Sequence, residues 1–324
     1  MRDAATRPEP DTEVKTYYMV PNRRIQGFVG REDVLIKVKA GFESGPGPRI
    51  VVIRAMGGQG KTQLALGYCR RSKNSLFKGI FWAAATSENT LKKSFETIAE
   101  SIKVPGKIFQ EGGRVEFVIE ELERWSDSWF IVFDNYDDPG LFNVGEYFPQ
   151  GESGCILVTT RHAEAESLAE SENAIELLGL NQEPALELLY NQSRIKQTDD
   201  NIDDGKAIIN RLGYHPLAIS QAGSYIKLRK IQLHEFMAYY KLKRKDILKQ
   251  THQMTQYRRK LNDTEKETAL SVFTTWELSF QLIQDKDEGG KHKTDLLTLF
   301  AFFNGKDISE QLFKSFCGIP KCPG

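Results

Sequence analysis

The sequence predicts an α/β fold, a parallel five-stranded sheet flanked by helices, followed by an all-helical portion. Three observations predict it. Short β-branched and aromatic runs alternate with helix-spaced segments up to about residue 180. One of these runs opens directly into a glycine loop and a helix. Beyond residue 180 the strand-like runs stop and only helical spacing remains.

The strand–loop–helix stretch organises the rest. Ile50 to Ile53 reads as a buried strand, Gly57, Gly58 and Gly60 as a tight loop, and Lys61 to about Arg71 as a helix. Glycines let backbone N–H groups approach a polyphosphate, and a helix N-terminus adds donors and partial positive charge. Lys61 can reach the β- and γ-phosphates, and Thr62 can offer its hydroxyl to Mg2+. The pattern G-x-x-x-x-G-K-[ST] is met except at its first position, which is Ala55. Alanine weakens the loop if that position needs a positive φ or close packing.

The remaining elements follow in order. Residues 1–20 read as a flexible, polar leader. Phe28-Val29 is apolar, Gly30 permits a turn, and Asp33 to Phe42 has helical spacing. Gly79 to Ala85 is a second strand, and Thr90–Ile102 and Arg114–Trp125 are amphipathic helices. Trp129 to Phe133 is a third strand ending in Asp134, Cys155 to Thr160 a fourth ending in Arg161, and Ala174 to Leu178 a short fifth. Lys61, Asp134 and Arg161 thus fall at strand carboxyl ends, where sheets of this type bind ligands. Helices are expected at 184–190, 201–212, 216–228 and 233–242. Lys241 to Lys260 reads as a basic solvated face or connecting segment, with a targeting signal as the alternative. Helical spacing resumes at Thr268–Ile283, Leu296–Phe303 and Ile308–Phe316, around a charged loop at 285–293. The resulting division is 1–20 leader, 21–180 nucleotide-binding domain, 181–265 helical domain, and 266–324 a final partial domain.

Length and charge bound the rest. The 324 residues exceed the ~250–300 at which one core stops growing, so two or three domains are expected. With 44 basic and 44 acidic residues the net charge is zero, which argues against nucleic acid or a membrane surface as main partner. No apolar run approaches ~18 residues, and the N-terminus lacks a signal core. Cys69 and Cys155 read as buried thiols, and Cys317 and Cys322 are too few for a metal site. A reduced, cytoplasmic compartment fits, and the N-x-[ST] matches at Asn191 and Asn262 are then fortuitous.

Phe130 to Phe133 followed by Asp134 is the Walker B pattern, about 70 residues after the glycine loop. Asp134 would hold Mg2+, directly or through water, together with Thr62. Position 135, where many such ATPases carry a second acid that activates water, is Asn135, which cannot act as a base. Asp137 or Asp138 could substitute or could cap a following helix, and capping is the reading taken. Slow or absent hydrolysis is the expectation. Arg161 can set a planar cationic fork beside a γ-phosphate and report its presence, with a surface ion pair as the alternative.

These residues resemble the NB-ARC module of STAND-class P-loop ATPases, the nucleotide switch of NOD-like receptors, in the manner of fungal members. The resemblance rests on Phe-Val-Gly-Arg-Glu at 28–32, the glycine loop at 56–65, Ile-Val-Phe-Asp-Asn at 131–135, Leu-Val-Thr-Thr-Arg at 157–161 and Gly-Tyr-His-Pro-Leu-Ala at 213–218. It implies sheet order 5-1-4-3-2, a helical domain and a winged-helix domain, the last only partly present at 266–316. It implies that Val29 and Arg31 line the adenine side. Gly57, Gly58, Gln59, Gly60, Lys61, Thr62 and Gln63 would hold ADP or ATP with Mg2+. Lys61, Asp134 and Arg161 would carry whatever catalysis occurs, and Pro216 would close over the base. It also implies self-association on activation and a role in innate immune signalling. The Met-His-Asp motif of the family is missing, no sensor repeats follow, and no effector domain precedes residue 20. The chain therefore resembles a truncated switch. Two other readings remain: a degenerate interaction scaffold, and a P-loop phosphotransferase, for which no acceptor pocket or arginine-bearing lid is visible.

Overall fold

A computed structural model describes residues 16–23, 29–43, 47–73, 77–103, 109, 112–250 and 270–278. A six-stranded parallel sheet forms the first half. Its strands are β1 (Tyr17–Met19), β2 (Arg49–Arg54), β3 (Gly79–Ala84), β4 (Trp129–Asp134), β5 (Gly154–Thr160) and β6 (Ala174–Glu176). Their spatial order is β1-β3-β4-β5-β2-β6, and every pairing is parallel. The five expected strands occur in the order the resemblance implied. The correction is a sixth, β1, inside the stretch expected as a flexible leader. Tyr17 makes this edge strand hold: its ring stacks on Trp125 at 5.6 Å, and its backbone N–H donates to Lys78 O at 2.8 Å.

All residues of β4 and β5 are buried, as central parallel strands with helices on both faces require. Period-two alternation divides β4 between two cores. Phe130 and Val132 pack with α1 (Glu32–Glu43) and α2 (Lys61–Arg71). Trp129, Ile131 and Phe133 pack with α3 (Glu88–Ile102) and α4 (Gly113–Arg124). Each such fully buried aromatic or branched side chain stabilises the fold by about 1.5–3 kcal/mol. Helix α3 starts on a capping box, in which Ser87 Oγ accepts from Thr90 N–H at 3.3 Å and Ser87 N–H donates to Thr90 Oγ1 at 3.0 Å.

A separate apolar core holds α5 (Gln182–Ser193), α6 (Ile202–Arg211), α7 (Pro216–Arg229) and α8 (Leu233–Gln250) together. Helix α8 runs well past the expected end at 242, through the basic residues to Gln250. Lys and Arg are good helix formers, so a charged segment continues a helix whose first turns are packed by Leu233, Phe236 and Tyr240. Residues 270–278 are helical and dock on α7 and α8 through a hydroxyl-rich face. Ser271, Thr274 and Thr275 are buried there. Tyr240 Oη donates to Ser271 Oγ at 3.2 Å, Thr275 Oγ1 to Gln221 Oε1 at 2.7 Å, and Lys243 pairs with Glu277 at 3.1 Å. The helices expected at 296–303 and 308–316, the loop at 285–293, and with them most of the expected winged-helix portion, lie outside the described residues, as do Phe28, Cys317 and Cys322.

Candidate functional site

The carboxyl ends of β2, β4 and β5 converge on the glycine loop, and the start of α7 closes over it from the other side. Between them lies a cleft of about 460 Å³. Every residue assigned to nucleotide binding from sequence lines it: Val29, Arg31, Gly57, Gly58, Gln59, Gly60, Lys61, Thr62, Gln63 and Pro216, together with Arg161.

The loop holds its shape through two left-handed glycines, Gly58 at φ 82° and Gly60 at φ 96°, the second also starting α2. Ala55 does not need that freedom. It is 4% exposed, sits in the apolar core beside β2, and its N–H donates to Thr160 O at 3.1 Å. Alanine at the first position of the motif is therefore a packed residue and leaves the cradle intact. Lys61 Nζ donates to two carbonyls of the loop itself, Ala55 O at 2.6 Å and Met56 O at 3.2 Å. Burial pushes its pKa down to about 8, with Asp137 opposing the shift and Arg161 reinforcing it. A buried ammonium partnered only by carbonyls is poised for an anion.

Asp134 does not line the cleft but stands directly behind it. Its Oδ1 accepts from Thr62 Oγ1 at 2.9 Å and from Thr159 Oγ1 at 2.8 Å. Thr159 Oγ1 in turn accepts from Asn135 N–H at 2.9 Å. Thr62 and Asp134 are thus already paired, as a shared Mg2+ site needs. Asn135 has φ 68°, a left-handed conformation that asparagine tolerates better than most side chains.

Arg161 lies over the loop: a Cβ built on Gly57 would sit 3.6 Å from its Cζ. Asp137 holds it, by an ion pair from Nε at 2.9 Å and a bond from Arg161 N–H at 2.8 Å. The expectation that Asp137 and Asp138 cap a following helix is corrected. Asp137 serves Arg161, Asp138 O accepts from Leu141 N–H in a turn, and Asn143 caps the next helical turn, Val144–Tyr147. The alternative of a surface ion pair for Arg161 is met in part, since its partner is Asp137, yet its guanidinium faces the glycine loop.

The lead-in segment ties the cleft together. Arg31, at φ 70°, donates from Nη2 to Leu178 O at 2.6 Å and from Nη1 to Gly179 O at 3.2 Å. Val29 packs on the helical core. Asn135, singled out from sequence for the base it cannot supply, also lines the cleft, and reading from sequence missed four further lining residues, Leu180, Leu188, Leu217 and Ser220. Ser220 stands one turn after Pro216 on the same helix, so a helical projection could have found it, and Leu217 adjoins Pro216 within the motif at 213–218. Leu180 and Leu188 carry no local signal. His215 was missed as well: it is fully buried, caps α7, and lies with Nε2 3.0 Å from Gly57 O.

The cleft is therefore two-sided, with a donor-rich loop and cation at one end and Val29, Leu180, Leu188, Pro216 and Leu217 as an apolar slot at the other. A nucleotide fits these residues on one direct observation. The buried Oε1 atoms of Gln59 and Gln63, both in the cleft lining, have no hydrogen-bond partner among the described residues. Buried acceptors in that state are costly unless a ligand's hydroxyl or amino group meets them. No cluster of three or more His, Cys, Asp and Glu that could hold a metal ion occurs among the described residues. Among them, too, no helix is long and apolar enough to cross a membrane.

Comparison with known proteins identifies the family. Residues 31–199 match the family model of the NB-ARC domain, more than half of the 324 residues. A nucleotide-binding leucine-rich repeat (NLR)-like protein of Hyaloscypha variabilis is 26% identical over 244 residues, 69% of this chain and 24% of that protein. The chain thus spans about a quarter of the length of the curated relative it matches. Among solved structures, a signal transduction ATPase with a tetratricopeptide repeat sensor from Pyrococcus horikoshii is similar at TM-score 0.44 and 17% identity, covering 74% of this chain and 36% of that one. A Walker-type ATPase of Pyrococcus abyssi is similar at TM-score 0.47 and 12% identity, covering 74% and 78%.

Proposed function

The chain belongs to the NB-ARC domain family, and from that premise we propose that it is an ADP/ATP-binding switch of NLR type with slow or absent hydrolysis. The observation that carries this reading is the two-sided cleft. The glycine loop, Lys61 and Arg161 come from the sheet half, whereas Leu188, Pro216, Leu217 and Ser220 come from helices α5 and α7. A ligand that touches both halves stabilises whichever arrangement brings them together, and that is the physical content of a switch.

The roles follow from chemistry. Lys61 and the N–H groups of the loop hold the phosphates, and Gln59 and Gln63 accept from the sugar or base. The apolar slot takes the adenine ring between Val29 and Pro216. Thr62 and Asp134 hold Mg2+, which when bound neutralises phosphate charge. Arg161 exchanges its pairing with Asp137 for the γ-phosphate, so its position depends on which nucleotide is present. Asn135 supplies no base for the attacking water. A cytoplasmic location, self-association on activation and a part in innate immune signalling belong to the same reading.

The test is to purify the protein, denature it, and identify released nucleotide by chromatography. Stoichiometric ADP supports a closed switch, and ATP in its place supports blocked hydrolysis. A folded protein that releases nothing and takes up neither nucleotide overturns the reading in favour of an interaction scaffold.

A further inference from the structure

Helix α7 begins hard against the phosphate loop, and one residue makes the junction. His215 is fully buried, with its two ring nitrogens engaged on opposite sides. Nδ1 accepts from Ala218 N–H at 3.4 Å and caps the helix. Nε2 lies 3.0 Å from Gly57 O. With Nδ1 as acceptor, the neutral ring carries its proton on Nε2 and donates it to the Gly57 carbonyl; the two partners together assign the tautomer. The approach is close on both sides. A Cβ at Gly58 would stand 2.7 Å from His215 Cε1 and 2.8 Å from Leu217 Cβ. Loop and helix therefore meet with no room for a side chain between them.

A trans peptide sets its C=O and N–H antiparallel. Holding the Gly57 carbonyl consequently fixes the direction of Gly58 N–H, one of the backbone donors of the cradle. We propose that His215 is a positioning residue that sets the Gly57–Gly58 peptide for phosphate and, through the same bond, couples occupancy of the loop to the docking of α7. The proposal rests on reading the cleft as a nucleotide site and says how that site is felt by the helical half. Such coupling is reciprocal: nucleotide steadies the start of α7, and docked α7 steadies the loop.

Two conservative variants separate coupling from capping. H215Q places an amide nitrogen near the position of Nε2 and keeps a donor for Gly57 but gives up the cap. H215N keeps a capping acceptor and is too short to reach Gly57. The probe is ADP, read by equilibrium binding and by amide hydrogen exchange over 216–229 with and without saturating ADP. H215N is expected to bind ADP about three- to tenfold more weakly, the loss of one neutral hydrogen bond. It is also expected to lose the ADP-induced slowing of exchange in α7, whereas H215Q stays within about twofold of wild type and keeps that slowing. A role confined to capping predicts the reverse pattern and overturns the proposal. So does H215N binding ADP as tightly as wild type, with nucleotide binding itself intact. A wild-type chain that binds no ADP overturns the nucleotide reading, and this coupling with it.

Discussion

Replacing the loop glycines one at a time by alanine tests the geometry of the cleft, because the three meet different surroundings. A Cβ at Gly57 would find Arg161 Cζ at 3.6 Å, an ordinary contact, and the residue has no positive φ. G57A should therefore cost within about 0.5 kcal/mol. Gly60 has φ 96° and nothing within 4 Å of the added atom, so G60A carries backbone strain alone, about 1–2 kcal/mol. Gly58 combines φ 82° with contacts of 2.7 Å to His215 and 2.8 Å to Leu217. Overpacking against a fixed helix start adds about 1–3 kcal/mol, for a total of about 2–5 kcal/mol. The assay is urea denaturation followed by tryptophan fluorescence, since Trp82, Trp125 and Trp129, three of the four tryptophans, lie in the sheet half. A chain with two cores need not melt in one step, so midpoints are compared for the same transition. The expected order of destabilisation is G57A, then G60A, then G58A. If G58A and G60A coincide, α7 does not rest on the loop in solution and the two-sided cleft is wrong.

Three further outcomes follow from single residues. Lys61, held at about pKa 8 by burial, gains a polyanion on binding, which favours its ammonium. Below pH 8 that charge is already present, and above it binding must take up a proton, so ADP affinity should fall by up to about tenfold per pH unit. A flat titration to pH 9.5 would show that Lys61 does not meet the phosphates. N135D should fold within about 0.5 kcal/mol of wild type, because aspartate also tolerates the left-handed backbone. It should raise phosphate release at least about tenfold by supplying a base, and an unchanged rate would remove Asn135 as the reason for slow turnover. His215 is pushed down to about pKa 4, chiefly by burial and also by the facing Arg31 charge. Its contribution is complete above the ordinary value of ~6.5 and is lost progressively as pH falls toward 4, about 2 kcal/mol of it by pH 5. The stability gap between wild type and H215Q should shrink accordingly between pH 7 and 5; a constant gap would refute a buried neutral imidazole.

What was legible in the sequence was what lies in short contiguous runs. The glycine loop, Lys61-Thr62 and the apolar run into Asp134 each place their chemistry within a few residues, and a parallel sheet then brings strand ends together without further instruction. Contacts that depend on distant pairing were not legible. Asp137 reaches Arg161 across 24 residues, and its sequence neighbourhood looks like any acidic turn. Leu180 and Leu188 read as ordinary core, since burying a leucine against a ligand or against another helix leaves the same local pattern. Strand β1 has only three residues, too few for alternation to register, and Tyr17 is held by partners distant in sequence, Lys78, Phe81 and Trp125. His215 was visible as a letter in a motif, but its second bond belongs to a loop 158 residues away.

The attachment of residues 270–278 has a thermal and ionic consequence. Ser271, Thr275 and the Lys243–Glu277 pair would, on detachment, exchange protein partners for water at small net cost. Leu270, Val272 and Leu278 are its hydrocarbon contribution. Releasing this helix would therefore absorb little heat capacity compared with parting α5 from α7, whose contact is largely hydrocarbon. Added salt would change the attachment little, because the Lys243–Glu277 pair is largely buried and weakly screened. Such a joint would part before the apolar core beneath it.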